Sequence, residues 1–380
     1  LAAGASGSGK TLITCGLLQV MQNRKIKTAS FKCGPDYIDP MFHSKVIGTK
    51  SRNLDTFFAG EPVVRYLLEK NMEGMELAVM EGVMGYYDGV GGTTTQASAY
   101  DLARVTETPV ILIVNAKGMS VSLAAYVKGF LGYRKDSQIR GVIFNQMSPM
   151  LYPRMKRLGE EELGVVYGYV PKVEDCQIES RHLGLVMPDE VEDLQKKLKR
   201  LAQVLEDSLE IDGILKLAGS ARELPVEDLT RENPAFAFRL DHPVRIGVAR
   251  DEAFCFFYED NLQLLRDMGA KLVEFSPLRE EKLPKDLDGL LLCGGYPELH
   301  ARTLSENRSM CREIREALQS GLPCLAECGG FMYLHEEMEG MDGQSYPMVG
   351  YLSGKAYRTS RLNRFGYVNL QESHPVLGEE

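Results

Sequence analysis

The chain has 380 residues, 44% of them hydrophobic and 26% charged, an ordinary balance for a globular protein of two or three domains with a core in each. A formal net charge of -9 argues against general nucleic-acid binding, which wants a basic surface, while leaving room for a local basic pocket on an anionic small molecule. Eight scattered cysteines without a CxxC pair, no run of eighteen apolar residues and no signal peptide predict a reduced, cytoplasmic protein without a membrane span.

In chain order, the first half alternates short apolar runs with amphipathic stretches. Ala78-Val79-Met80, Val110 to Val114, Val142 to Phe144 and Val165 to Val170 read as buried strands. Thr11 to Asn23 and Ser120 to Tyr133 read as helices, and a charged amphipathic helix is expected from about Asp189 to Asp207. Such alternation predicts a parallel sheet with helices on both faces. Residues 219–243 turn charged and proline-rich and are expected to be a linker. A second α/β pattern follows, with strands at Arg245 to Ala249, Lys271 to Phe275, Gly289 to Cys293 and Pro323 to Ala326. The expected organisation is a first domain over 1–218, the linker over 219–243 and a second domain over 244–380. Leu1-Ala2-Ala3 runs straight into a glycine loop that a strand should precede, and Leu377 to Glu380 reads as a cut, so residues are expected to be missing at both ends.

Gly4-Ala5-Ser6-Gly7-Ser8-Gly9-Lys10-Thr11 fits G-x-x-x-x-G-K-[ST] before a good helix pattern. Small residues let backbone N–H groups at Gly4, Gly7 and Gly9 wrap phosphates while the helix points its positive end at them. Lys10 is expected to reach the outer phosphates and Thr11 to offer its hydroxyl to Mg²⁺. Further on, Phe31-Lys32-Cys33-Gly34-Pro35-Asp36-Tyr37-Ile38-Asp39-Pro40 has its backbone fixed by two prolines and a glycine around Lys32, Asp36 and Asp39. Glu81 ends the strand at Ala78 to Met80 and opens Glu81-Gly82-Val83-Met84-Gly85-Tyr86-Tyr87-Asp88-Gly89. An acid at the carboxyl end of a parallel strand lies where such sheets bind ligands, which makes Glu81 a natural Mg²⁺ partner. Solvated loop carboxylates are the alternative reading of these acids.

The phosphate loop, Lys32 to Pro40, Asn53-Leu54-Asp55 and Glu81 to Gly89 together resemble the synthetase half of the cobyrinate a,c-diamide synthase family, a domain similar to dethiobiotin synthetase. The resemblance implies Mg²⁺ at Thr11, Asp36 and Glu81, a phosphate-neutralising Lys32, and contacts to substrate or intermediate at Tyr37, Asp39 and Asp88. It also implies an adenine-reading Asn145, for which a capping asparagine after a strand is the alternative.

In the second half, Pro323-Cys324-Leu325-Ala326-Glu327-Cys328-Gly329-Gly330-Phe331-Met332 reads as a strand, a sharp turn and a helix start with Cys328 at the turn. Such an elbow lifts a nucleophile out of the sheet, and a helix N-terminus beneath it is expected to lower the thiol pKa. Cys324, mid-strand, is expected in the core. Gly294 and Gly295, which end another strand in Leu292-Cys293-Gly294-Gly295-Tyr296-Pro297-Glu298, have N–H groups suited to an oxyanion hole. The pair resembles a class I, triad-type glutamine amidotransferase domain as fused to corrinoid amide synthases. That resemblance implies a histidine base beyond Phe365-Gly366-Tyr367-Val368, where no such motif follows, so glutamine use by the chain as written is expected to be crippled, with free ammonia still able to feed the other half. His300 and His335 read as structural, and His374 as a surface residue.

The expected reaction is thus amidation of the a and c acetates of cobyrinate through an acyl phosphate, with ATP and glutamine as co-substrates, Mg²⁺ as cofactor, no nucleic-acid or membrane partner, and homodimerisation left open. Lys45, Lys50 and Arg52 read as solvated surface charges rather than substrate contacts. Hydrogenobyrinate and a nickel sirohydrochlorin are alternative substrates, a small carboxylate is a further one, and a ParA-like nucleotide switch is the non-enzyme alternative. Ala5-Ser6 stand where that last class carries a second lysine.

Overall fold

The computed structural model describes residues 1–173, 176, 188–224, 229, 234–360, 366–369 and 371, with only the backbone described at 188–192, 234 and 235. Seven parallel strands build the first half: β1 (Ala2–Ala3), β2 (Thr28–Cys33), β3 (Lys50–Leu54), β4 (Leu77–Glu81), β5 (Val110–Asn115), β6 (Ile139–Asn145) and β7 (Val166–Val170). They pair in the orders β3-β2-β4 and β1-β5-β6-β7. Leu1 N donates to Met80 O at 2.7 Å and Gly82 N to Leu1 O at 2.8 Å, so β4 continues edge to edge into β1. The run Val-Ile-Leu-Ile-Val in β5 is buried on both faces, as a central parallel strand requires. The helix Lys10–Asn23 packs Ile13, Leu17, Val20 and Met21 into the core, where they meet Leu201 and Leu205 of the helix Pro188–Ser208.

β2 and β3 are absent from the sequence expectation, and the reason is local. Thr-Ala-Ser-Phe-Lys-Cys carries too many polar residues to read as apolar, yet every residue of β2 is buried between β3 and β4. Lys32 lies at the carboxyl end of this strand, and the polarity belongs to the site rather than to solvent.

The second half has a parallel sheet in the order β11-β10-β8-β9, from β8 (Arg245–Ala249), β9 (Lys271–Phe275), β10 (Gly289–Leu292) and β11 (Cys324–Ala326). The helix Arg308–Gln319 buries Met310, Cys311, Ile314 and Leu318 in a core shared with Phe254, Phe275 and Tyr333. A small sheet not read from the sequence follows, ordered β13-β12-β14 from β12 (His335–Glu339), β13 (Ser345–Pro347) and β14 (Leu352–Ala356). Cys324 corrects its expectation: it is exposed, because β11 is the edge of its sheet among the described residues and Leu325 beside it is also exposed. No described helix is long and apolar enough to cross a membrane.

The halves meet through polar and aromatic contacts. Lys70 Nζ lies 2.7 Å from Asp267 Oδ2, and Asn71 Nδ2 donates to Asp260 Oδ1 at 2.9 Å. Tyr258 OH donates to Pro35 O at 2.9 Å, and the Tyr37 ring lies between Phe256 and Tyr258, with centroids 4.9 and 4.4 Å away.

Candidate active sites

The carboxyl ends of β1, β2 and β4 converge on one point. β1 runs into the phosphate loop, where Gly9 takes φ +94°, a left-handed backbone that glycine adopts without cost. The same residue has no room for a side chain, since a Cβ there would lie 2.2 Å from Asn145 Nδ2. Asn145 Nδ2 donates to Ser8 O at 2.8 Å and Asn145 Oδ1 accepts from Gln146 N at 2.9 Å, so its amide buttresses the loop from beneath. Lys10 Nζ donates to Ala5 O at 3.1 Å and to Met84 O at 2.5 Å, arching back over the loop. Burial and the neighbouring Lys32 lower the Lys10 pKa.

Around it lies a buried charge cluster. Glu81, at the end of β4, accepts from Thr11 Oγ1 at 2.6 Å and from Lys32 Nζ at 2.8 Å on the same oxygen, Oε1. Lys32 also bonds Asp39 and stands 3.9 Å from Asp36 Oδ2. Burial opposes the charge on Lys32, but Glu81 and Asp39 together hold its ammonium above the usual range. Burial and neighbouring carboxylates push the pKa of Asp36 and of Asp39 upward. The structure therefore brings Lys10, Thr11, Lys32, Asp36, Asp39 and Glu81 together. Asp88 sits at the rim, exposed, with Oδ2 accepting from Gly85 N at 3.0 Å.

Asn53, singled out only within its motif, pins this loop: Nδ2 donates to Gly34 O at 2.9 Å and to Asp36 O at 2.7 Å. Asp55 Oδ2 accepts from Tyr367 OH at 2.7 Å, tying the far end of the second half to the first.

At the second centre, Cys328 has φ +47° and ψ -112°, a conformation that strains a non-glycine residue and marks a nucleophile elbow. Gly330 permits it, because a Cβ there would meet Leu292 O at 2.0 Å. Gly294 lies against the thiol: a Cβ on it would sit 3.4 Å from Cys328 Sγ and 3.2 Å from Phe256 Cδ2. The expected lowering of the thiol pKa is corrected. Burial raises it, and the charged groups acting on it, Glu298 and Glu327, are both acidic. The Gly329 N–H at the start of the helix Gly329–Tyr333 acts in the expected direction, but desolvation outweighs it. The thiol thus needs a base. His335 Nδ1 is engaged with Phe331 O at 2.9 Å, and His374 lies outside the described residues.

One cavity of about 1190 Å³ joins the halves, lined by Pro35, Tyr37, Lys45 and Arg52 on one side and by Tyr258 and Cys328 on the other. Arg52 and Lys50 are not the solvated charges expected. Arg52 Nε lies 3.4 Å from Asp260 Oδ1 and Lys50 Nζ donates to Asn71 O at 3.0 Å, both partly buried where the halves meet.

A glycine-loop nucleotide domain joined to a domain carrying a cysteine elbow defines an amide-forming carbon–nitrogen ligase supplied with nitrogen by a glutamine amidotransferase. Two family profiles match: a CobQ/CobB/MinD/ParA nucleotide binding domain over residues 1–186 and a CobB/CobQ-like glutamine amidotransferase domain over 245–378. Proteins called cobyrinate a,c-diamide synthase are similar throughout. That of Caldanaerobacter subterraneus subsp. tengcongensis is 40% identical over 96% of this chain and 79% of its own length. That of Clostridium acetobutylicum is 38% identical over 98% and 82%, and that of Thermoplasma volcanium 40% over 94% and 77%. The chain belongs to the cobyrinate a,c-diamide synthase family.

Proposed function

We propose that the chain amidates the a and c acetate carboxylates of cobyrinate, spending ATP on each. Cys328 thiolate attacks the side-chain amide of glutamine, a thioester forms and ammonia leaves, and water then releases glutamate. The amide N–H groups at Gly294 and Gly295 steady the oxyanion of the tetrahedral intermediate. In the first half a substrate carboxylate attacks the γ-phosphoryl group of ATP, giving an acyl phosphate and ADP. Lys10 leaves its carbonyl partners for the phosphates, and Lys32 shares its charge with the group in transfer. Ammonia attacks the acyl carbon and phosphate departs.

The residues present fit Mg²⁺. The donor set of Thr11, Asp36 and Glu81 is all oxygen, as a hard cation prefers, and Thr11 Oγ1 and Glu81 Oε1 already meet at 2.6 Å. Mg²⁺ in such sites is held by one or two carboxylates together with nucleotide phosphates, a role Asp36 and Glu81 would fill. When bound there, the cation would neutralise phosphate charge.

The observation that carries this reading is the shared cavity, in which Cys328 and the loop bearing Asp36 and Tyr37 face one space. Tyr37 and Lys45 line it, and Asp39 and Asp88 are further candidate substrate contacts outside its lining. Product formation from cobyrinate, ATP and Mg²⁺, followed by mass spectrometry with ammonia or glutamine as nitrogen source, tests the reading. Two successive losses of about one mass unit, the difference between OH and NH₂, are expected with ammonia. A folded, ATP-binding protein that changes cobyrinate with neither source would refute the assignment and direct the same assay to hydrogenobyrinate and the nickel sirohydrochlorin.

A further inference from the structure

His43 is fully buried and has no place in the reaction just described. It opens a π-helical turn, His43–Ile47, directly after the short helix Ile38–Phe42 that carries Asp39. Turns of this kind are rare and recur at functional sites. The turn faces His43 toward β2 and β4 at once. Its Nδ1 lies 3.3 Å from Ser30 Oγ on β2, and its Nε2 lies 3.8 Å from Glu81 Oε2 at the end of β4. Both Nε2 and Oε2 are buried atoms without a hydrogen-bond partner, and each lies within 3.8 Å of the other. Two orphaned polar atoms in a dry interior are costly, and a pair so placed is one small displacement from satisfying each other.

The geometry points to His43 as the residue that positions Glu81 for its cation, with Ser30 fixing which ring nitrogen carries the proton. This rests on the Mg²⁺ reading given above. A neutral imidazole owns a single N–H, and the Ser30 contact at Nδ1 decides where it sits. If the Ser30 hydroxyl donates to Nδ1, that N–H is at Nε2 and faces Glu81. Glu81 Oε1 is crowded by Thr11 and Lys32. A cation that draws Oε1 toward Thr11 swings Oε2, and a neutral Nε2–H donor holds that oxygen without competing for its charge. Hydrogen bonds to metal-binding carboxylates of this kind tune affinity about 10–100-fold.

The test is Mn²⁺ binding to the full chain in the presence of a non-hydrolysable ATP analogue, read by electron paramagnetic resonance, with the melting temperature of the cation-free protein measured alongside. His43→Phe keeps the ring volume and removes the donor. It should weaken Mn²⁺ by about 10–100-fold, while His43→Gln, whose amide N–H replaces Nε2–H, stays within about threefold. Ser30→Ala, which frees the tautomer, should fall between them, and it carries the test if His43→Phe does not fold. Nucleotide binding without a cation should be the same in all. Unchanged Mn²⁺ affinity in His43→Phe and in Ser30→Ala, with or without a drop in melting temperature, would overturn the inference and leave His43 a packing residue. Failure of the unsubstituted chain to bind Mn²⁺, with nucleotide still bound, would overturn the cation reading itself and this inference with it.

Discussion

The two centres present a reactive group in opposite ways. The nucleotide half holds its chemistry by charge: Lys32, Asp39 and Glu81 lie inside the protein, the lysine ion-paired with both acids. The amidotransferase half holds its chemistry by backbone strain, forcing Cys328 to φ +47° on a five-residue helix and leaving the residue exposed. Buried charge is rigid, and one lost partner is expensive. A strained turn is cheap to build but supplies no proton acceptor, so the thiol depends on a group brought to it.

Lys32→Met tests the first device hardest. Removing the cation leaves two buried carboxylates facing each other, and the expected cost is about 3–5 kcal/mol, measured by denaturant unfolding. The loss should grow with pH. Burial and Glu81 already raise the Asp39 pKa, and without Lys32 the folded value climbs further above the unfolded one. The folded state then binds more protons than the unfolded state, so stability falls as pH rises through that range and recovers below it. Insensitivity to pH would mean that the carboxylates find another partner.

Lys10→Ala should leave the fold intact and cut ammonia-supported ADP release by about 10²–10³-fold, the usual scale for one electrostatic donor to a developing charge. A change of less than about threefold would remove Lys10 from the transfer step. Gly330→Ala attacks the other centre. Its Cβ would run into Leu292 O, and the elbow should lose about 1–3 kcal/mol together with its presentation of the thiol. Alkylation of Cys328 by iodoacetamide, followed by peptide mass mapping, measures that presentation. In the unsubstituted chain the alkylation rate should rise at a higher pH than for a free cysteine peptide, because the protein around the thiol, although the residue is reachable by solvent, partly desolvates it and raises its pKa. A midpoint below the peptide's would show that a base or dipole is already acting. The smallest effect is expected from Tyr258→Phe, which removes the hydroxyl that bonds Pro35 O and the Tyr37 side chain and should cost about 0.5–1.5 kcal/mol.

Local motifs were legible in the sequence and long-range partners were not. Gly4 to Thr11 and the glycines after Cys328 announce themselves because each motif is complete within about ten residues and its backbone demand is written in residue type. Strands β5 and β6 were readable because burial on both faces makes their central runs continuously apolar. β2 was not, since its polar residues serve the site, and no local pattern separates a buried Lys32 from a solvated one. The direction of the Cys328 pKa shift was not read because its largest cause, desolvation within the folded protein, leaves no local pattern in the sequence. His43 went unnoticed although it closely follows Asp39. The available signal was a histidine in the turn just after a segment already marked by its prolines and acids. Phe256 and Tyr258 carry no signal at all, because their partner Tyr37 is more than two hundred residues away.

That aromatic stack has a practical consequence. The chain contains no tryptophan, so an indole at position 256 would be the sole one in the molecule. Phe256→Trp would place that single emitter face to face with Tyr37, one residue from Asp36, and against Gly294 beside the thiol. Any ligand that pulls on the loop after β2 would tilt or unstack the ring and shift its emission. Light from one residue would then report, in real time, whether events at the phosphate loop are felt at the cysteine.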